Sequence, residues 1–376
     1  LRAVHLDAHD FRNLRRLALD LPAEGAVFFG DNGHGKTSLL EAMYYPVLLR
    51  SVRGARDGDL VRRGEAGFFV RLVVASATGA TTIEAGFGHG SGGVGRQKRV
   101  AVDGAPLERL TDALGAWIAV AFLPSDVELV SGGAAIRRQF LDRMLCLADG
   151  EYLRALRRYR AALDQRNAAL RQGQPAAAWA FDPLLAKYGA MLVARRQDWV
   201  SRSRGPWAET CSALGEPMPV FFELTGDGSL GDPAAWPDAL GAARVRDQQH
   251  RVTGLGPHRD DLSLTLDRAP LRVIGSTGQQ RTAAIALKLC ERDTLAQAAG
   301  QAPALLLDDV FAELDRDRQD RLAHRLGLGP DSGQPVRPQV FVTAPRADEL
   351  PPLLDLPVYR VEHGAVSPAG LGAISR

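Results

Sequence analysis

The sequence predicts an α/β protein in which buried apolar strands at both ends of the chain build one core and an inserted helical lobe interrupts it. Three observations carry this. The run Ala26-Val27-Phe28-Phe29 leads into the glycine-rich stretch 30–38 and then into a helical pattern. The run Ala304-Leu305-Leu306-Leu307 ends in Asp308-Asp309 and, with 339–343, reads as strand buried on both faces. Between them, about 126–249 turns helical and arginine-rich. The expected division is therefore a discontinuous core, 1–123 and 253–376, around an insertion, 124–252.

Taken in order, 4–7 and 14–21 alternate loosely and can pair around Phe11-Arg12-Asn13. Segments 68–75, 81–85 and 118–123 read as further strands, and Asp103-Gly104 as a hairpin end. The stretch 86–95 holds six glycines and reads as a wide turn or mobile loop. In the insertion, Leu156, Leu163 and Leu170 recur every seven residues, and Leu184, Leu185, Tyr188, Met191 and Leu192 repeat at helical spacing beyond the break at Gly173 and Pro175. Two such helices joined by a short loop form an antiparallel helical hairpin, too short for an extended coiled coil. Segment 220–224 reads as a strand leaving that lobe. Segments 262–266 and 271–274 read as strands, and 279–291 and 316–326 as helices.

Composition narrows the function classes. The 376 residues suffice for two domains, with 45% hydrophobic and 24% charged residues. Net charge is only +2, so contact with nucleic acid requires a local patch. Cys146, Cys211 and Cys290 form no C-x-x-C pair, which argues against a zinc ribbon or disulfide framework and for a reducing cytoplasm. The opening Leu1-Arg2-Ala3-Val4-His5 carries no apolar signal core, and no run approaches the ~18 apolar residues of a membrane span, so no membrane association is expected. Arg154, Arg157, Arg158 and Arg160 lie beside Tyr152 and Tyr159, and Arg195 and Arg196 near Trp199. Phosphate contact and a plain solvated helix face fit these arginines equally.

Two stretches carry chemistry by residue type and order. Gly30-Asp31-Asn32-Gly33-His34-Gly35-Lys36-Thr37-Ser38 fits G-x-x-x-x-G-K-[ST], a phosphate-binding loop. Its glycines let backbone N–H groups turn inward, and the helix from Thr37 adds a positive dipole end. Lys36 is expected to neutralise β- and γ-phosphates of ATP, and Thr37 to hold magnesium. Asp308-Asp309 at a strand end places two carboxylates where open α/β sheets bind ligands. Asp308 is expected at Mg2+, and Asp309 as general base for the attacking water.

Gly275-Ser276-Thr277-Gly278-Gln279-Gln280-Arg281 resembles the L-S-G-G-Q signature of ABC-type ATPases. Ser276 or Thr277 can cap the helix that follows, making Ser276, Gly278 and Gln279 a second anion site. Over nearly its full length the chain resembles the RecF family of the ABC/SMC ATPase group. Four segments carry the likeness: Phe11-Arg12-Asn13-Leu14; Pro124-Ser125-Asp126 with Arg137-Arg138-Gln139-Phe140-Leu141-Asp142; Thr253-Gly254-Leu255-Gly256-Pro257-His258-Arg259-Asp260-Asp261-Leu262; and 308–315. The resemblance implies an ABC-type P-loop ATPase head with an inserted helical lobe, and places Arg12 and Asn13 at the nucleotide. ABC ATPases usually carry Glu where Asp309 stands, and RecF-like chains carry Asp there. Thr343-Ala344 stands at the usual switch histidine, which makes Thr343 the candidate γ-phosphate sensor.

What the resemblance implies is ATP-dependent binding to DNA, single- or double-stranded or at gapped junctions. ATP-dependent homodimerisation, slow DNA-stimulated hydrolysis that releases the dimer, and support of recombinase loading with RecR and RecO follow from it. One rival is a transporter-type ATPase subunit, disfavoured by the large helical lobe between Lys36 and Ser276. The other is a non-catalytic scaffold, disfavoured by intact Lys36, Thr37, Asp308 and Asp309.

Overall fold

The computed structural model describes residues 1–89, 96–216, 220–312, 314–328, 337–346, 350–351 and 354–369. Six of the ten positions of the glycine-rich 86–95 stretch, and Glu313 of the 308–315 segment, lie outside them. The chain divides into two compact units, 1–125 with 295–376, and 126–294.

The first unit holds two six-stranded sheets. One is antiparallel, in the order Leu14–Asp20, Arg2–Phe11, Phe68–Ser76, Gly79–His89, Arg96–Val102, Ala105–Pro106. Alternation sets its faces. In Phe68–Ser76, Phe68, Val70, Leu72 and Val74 are buried, and Arg71 between them is exposed. The other runs Ala365–Pro368, Val358–Glu362, Gly25–Phe29, Val340–Ala344, Ala304–Asp308, Ala119–Phe122, and is parallel apart from its terminal hairpin. Every residue of Ala304–Asp308 and of Val340–Ala344 is buried. That explains the apolar runs 304–307 and 340–342, because a central parallel strand has no solvent face to alternate toward. Asp308, the one acid in that strand, sits at its C-terminal end, beside Thr343 of the next strand in register.

The second unit is built on two long helices, Gly150–Arg171 and Asp182–Ala213. Arg166 pairs with Asp182 and Arg196 with Tyr152, so the two helices run antiparallel. Tyr152, Ala155, Leu156, Tyr159, Ala162, Leu163 and Leu170 form the buried stripe of the first helix. The exposed strip includes Arg154, Arg157, Arg158 and Arg160, whereas Arg196 is buried and Arg195 exposed. A three-stranded antiparallel sheet, Val220–Thr225, Asp261–Leu266 and Ala269–Pro270, completes the unit.

Three sequence expectations are corrected. Segment 271–274 is a helical turn, not a strand, because Gly275 N–H donates to Leu271 O and closes it. The second border of the insertion falls at 294/295, where 252/253 was expected. The reason is pairing: Leu262, Leu264 and Leu266 pair with Leu224, Phe222 and Val220, and Trp207 donates to Ala283 O. Residues 253–294, the signature included, therefore pack with the helical lobe. The first border, expected at 123/124, lies at 125/126. Among the described residues no helix is long and apolar enough to cross a membrane.

Candidate nucleotide site

In the first unit, strand Gly25–Phe29 delivers the loop 30–35 to the N-terminus of helix Lys36–Leu48. Gly35 caps that helix at φ +111°, and a Cβ there would stand 2.8 Å from the Asn13 side chain. Gly30 has φ +151° with Val361 O in the space of a Cβ. Conformation closes both positions to other residues, and backbone closes Gly30 by room as well. The loop and helix face an open pocket of about 500 Å³ lined by Arg12, Asn13, Asn32, Gly33, Gly35, Lys36, Thr37, Ser38, Arg53, Asp59, Val61 and Asp309. Gly30, Asp31 and His34 complete the loop outside that lining; His34 O accepts from Gly364 N–H, which ties the loop to the terminal hairpin.

Lys36 is buried and its Nζ lies 2.6 Å from Gly30 O and 3.2 Å from Asp31 O, so the ammonium is held across the loop. The Thr37 hydroxyl stands 2.9 and 3.0 Å from the two Asp308 oxygens. Thr343 Oγ1 lies 2.8 Å from Asp308 Oδ1 and 3.3 Å from Asp309 Oδ1, and accepts from Asp309 N–H at 3.0 Å. Burial pushes the Asp308 carboxyl above the ordinary carboxylate value. Hydrogen bonds from Thr343 and Thr37 oppose that push, the charge of Asp309 adds to it, and Arg53 opposes it. Asp309 itself stands at φ +50°, in the left-handed region, held there by its N–H on Thr343.

The structure thus brings Lys36, Thr37, Ser38, Asp308, Asp309, Arg12, Asn13 and Thr343 together. Thr343 differs from expectation in its surroundings. It is buried, it does not line the pocket, and its hydroxyl is spent on the two acids. Ser276, Gly278 and Gln279 belong to the second unit. Ser276 N–H donates to Gln279 Oε1 at 2.9 Å, and Gln279 N–H to Ser276 Oγ at 3.2 Å. This reciprocal capping box opens helix Thr277–Ala299.

The residues fit a nucleotide with a divalent cation. Arg12, Lys36 and Arg53 give the pocket cationic walls suited to phosphates. Thr37 and Asp308 offer hard oxygen donors, and Mg2+ takes most remaining ligands from water and phosphate. Asn13 Oδ1 is buried without a hydrogen-bond partner, an acceptor suited to a ligand hydroxyl or amine. Sequence reasoning missed Arg53, Asp59 and Val61, which come from a loop and a short helix with no motif. It also missed Glu41, although an acid inside the apolar run Leu39-Leu40-Glu41-Ala42-Met43 was a readable signal.

Sheet order, phosphate loop, acidic strand end and capped signature define a P-loop ATPase head of the ABC/SMC type. No protein-family model matches the chain. The DNA replication and repair protein RecF of Myxococcus xanthus is 36% identical over 351 residues, covering 89% of this chain and 90% of the relative. That of Anaeromyxobacter sp. (strain Fw109-5) is 35% identical over 389 residues, covering 98% and 99%. The chain belongs to the RecF family. Among solved structures, the recombination mediator protein RecF-ATP of the RecFOR pathway matches at TM-score 0.84 and 28% identity, over 98% of both chains. An Smc head bound to the C-winged helix domain of ScpA matches at TM-score 0.56 and 13% identity, a likeness of fold.

Proposed function

We propose that the protein is an ATP-dependent DNA-binding protein of recombinational repair, with a weak, DNA-stimulated ATPase. One observation carries the ATP reading: Lys36, the Thr37 hydroxyl and the Asp308 carboxylate converge at one helix N-terminus, with Thr37 2.9 Å from Asp308. Lys36 would set its ammonium against the β- and γ-phosphates, and the loop N–H groups would donate hydrogen bonds to the phosphate oxygens. Thr37 and Asp308 would hold Mg2+, directly or through water; the cation supplies neutralisation of phosphate charge. Asp309 would orient the attacking water and take its proton. Being one methylene shorter than Glu, it suits slow turnover. Thr343 would brace Asp309 rather than sense the γ-phosphate.

DNA enters by family membership and by the exposed arginines 154, 157, 158 and 160 of the helical lobe. ATP binding would close a homodimer on single- or double-stranded DNA or gapped junctions. Hydrolysis would reopen it, which times a clamp that supports recombinase loading at gaps and stalled forks. RecR and RecO are the proposed protein partners, and the cytoplasm the compartment. Sedimentation velocity with ATP and DNA in all combinations tests this. A dimer only with ATP, tighter with DNA, is expected; one species under all four conditions rejects the clamp.

A further inference from the structure

One buried side chain beneath the pocket is explained neither by packing nor by direct ligand contact. Glu41 lies one turn beyond Thr37 in helix Lys36–Leu48, with its side chain 1% exposed. An isolated carboxylate at that depth is costly unless charge and hydrogen bonds satisfy it. Arg12 Nε donates to Oε2 at 2.9 Å and Arg12 Nη2 to Oε1 at 3.3 Å. The Ser51 hydroxyl donates to Oε1, and Ser51 Oγ in turn accepts from Arg53 N–H at 3.1 Å. Arg12 and Arg53 both line the pocket, whereas Glu41 does not. Arg12 also stands at φ +57°, a backbone conformation that its neighbours must hold in place. Arg12 N–H donates to Leu60 O at 2.6 Å and its Nη1 to Asp59 O at 3.3 Å. The Arg53 charge is felt at Asp308, whose carboxyl it draws down.

From this connectivity we propose that Glu41 is a positioning residue for the nucleotide. One carboxylate holds the Arg12 guanidinium directly and, through the Ser51 turn, the backbone that carries Arg53. The inference rests on the ATP reading of the pocket. An arginine held before the ligand arrives loses less rotamer freedom when it meets phosphate, so affinity depends on the holder. Because Glu41 touches no pocket surface, its loss acts on binding and leaves the hydrolytic step, carried by Asp309, nearly unchanged.

The test compares wild type, Glu41→Gln, Arg12→Ala, their double variant, and Ser51→Ala. ATP binding is measured by calorimetry, and turnover by steady-state kinetics with DNA. Glu41→Gln keeps volume and removes the charge. Its ATP affinity is expected to fall roughly tenfold, the size of one charge-assisted hydrogen bond. KM should rise with kcat within about twofold, a split that simple partial unfolding does not produce. The double variant should lose no more than about the larger single loss, since both changes break one unit. Ser51→Ala leaves the Glu41–Arg12 pair intact and cuts only the Arg53 branch. It is expected to weaken binding by a smaller factor, and it decides the matter if Glu41→Gln fails to fold. Wild-type affinity in Glu41→Gln or, failing that, in Ser51→Ala, or multiplicative losses in the double variant, overturn the proposal alone. Absence of ATP binding by wild type overturns the reading of the pocket and this inference with it.

Discussion

At the scale of single residues, the proposed ATP site predicts that binding and chemistry can be separated by mutation. Lys36→Met should abolish ATP binding in a filter or calorimetric assay, because the phosphates lose their buried countercharge. Asp309→Asn should bind normally and turn over about 10²–10⁴ times more slowly, as for a lost general base. Thr343→Val is the sharper probe, since it keeps shape and removes the hydroxyl that accepts from Asp309 N–H. It should cost about 1–3 kcal/mol in denaturant unfolding and slow turnover without weakening ATP binding. Asp308 makes a pH prediction. Its carboxyl is raised above 3.8 in the folded chain, so the folded state keeps a proton that the unfolded state has released. Stability should therefore fall as pH rises from about 3.8 through the raised value, and Mg2+ should bind more tightly over the same window. Melting curves of Asp308→Asn should lack both effects.

At the scale of elements, the segments of the helical lobe that carry the family resemblance are knots of buried charge. Arg166 donates to Asp182, Asp247 and the Thr253 hydroxyl, and its guanidinium lies 4.9 Å from the Trp179 ring centroid. Arg196 donates to Asp142, Asp260, Pro257 O and the Tyr152 hydroxyl. Thr253, Pro257 and Asp260 all come from the 253–262 segment, so that segment ties the two long helices to the sheet. Arg166→Met should cost about 3–5 kcal/mol by urea unfolding, because Asp247 is left buried and unpaired. His258 adds a pH term. Its Nε2 lies 2.9 Å from Thr253 O, so Nε2 carries the proton and Nδ1 accepts from the Tyr159 hydroxyl at 2.7 Å. Burial holds this imidazole below its ordinary 6.5, so the unfolded chain takes the proton first. Stability is then lost as pH falls below about 6.5, a slope that His258→Gln should flatten. At the signature, Ser276→Ala removes a capping bond and should cost about 1 kcal/mol.

At the scale of the whole molecule, the proposed dimer makes a prediction no single chain can satisfy. If each site joins one protomer's phosphate loop to the other's signature, then Lys36→Met and Ser276→Arg are both inactive alone. Random pairing of the two makes half the dimers mixed, and each mixed dimer has one complete site. ATPase activity should return to about a quarter of wild type, less if the sites cooperate. Full DNA-stimulated activity in monomeric Ser276→Arg would exclude a shared site. DNA affinity should fall steeply with salt and differ little between sequences of equal length, because phosphate contacts dominate.

Much of this was legible in the sequence, and the reason is local. A phosphate loop is a contiguous stretch whose glycines, lysine and threonine act through their own backbone and one helix, so Gly30 to Ser38 declare themselves. An acid ending an apolar strand is equally local, which is why Asp308 and Asp309 were readable. The leucine spacing likewise announced the two helices now seen to pair through Arg166 and Asp182. Pairings across long sequence distance decided the rest. Only folding set Thr343 between the two acids, since parallel strand register puts it opposite Asp308. The same holds for Arg196, which reads as surface charge in a helix and is buried by acids 54 and 64 residues away. Segment 253–294 followed its strand partners into the helical lobe, against its place in the chain. Arg53 and Glu41 met through Ser51 because a loop with no motif folded back beneath the pocket. Sequence determines what each short segment can be; which segments satisfy one another's buried charges is settled by the packing of the whole fold.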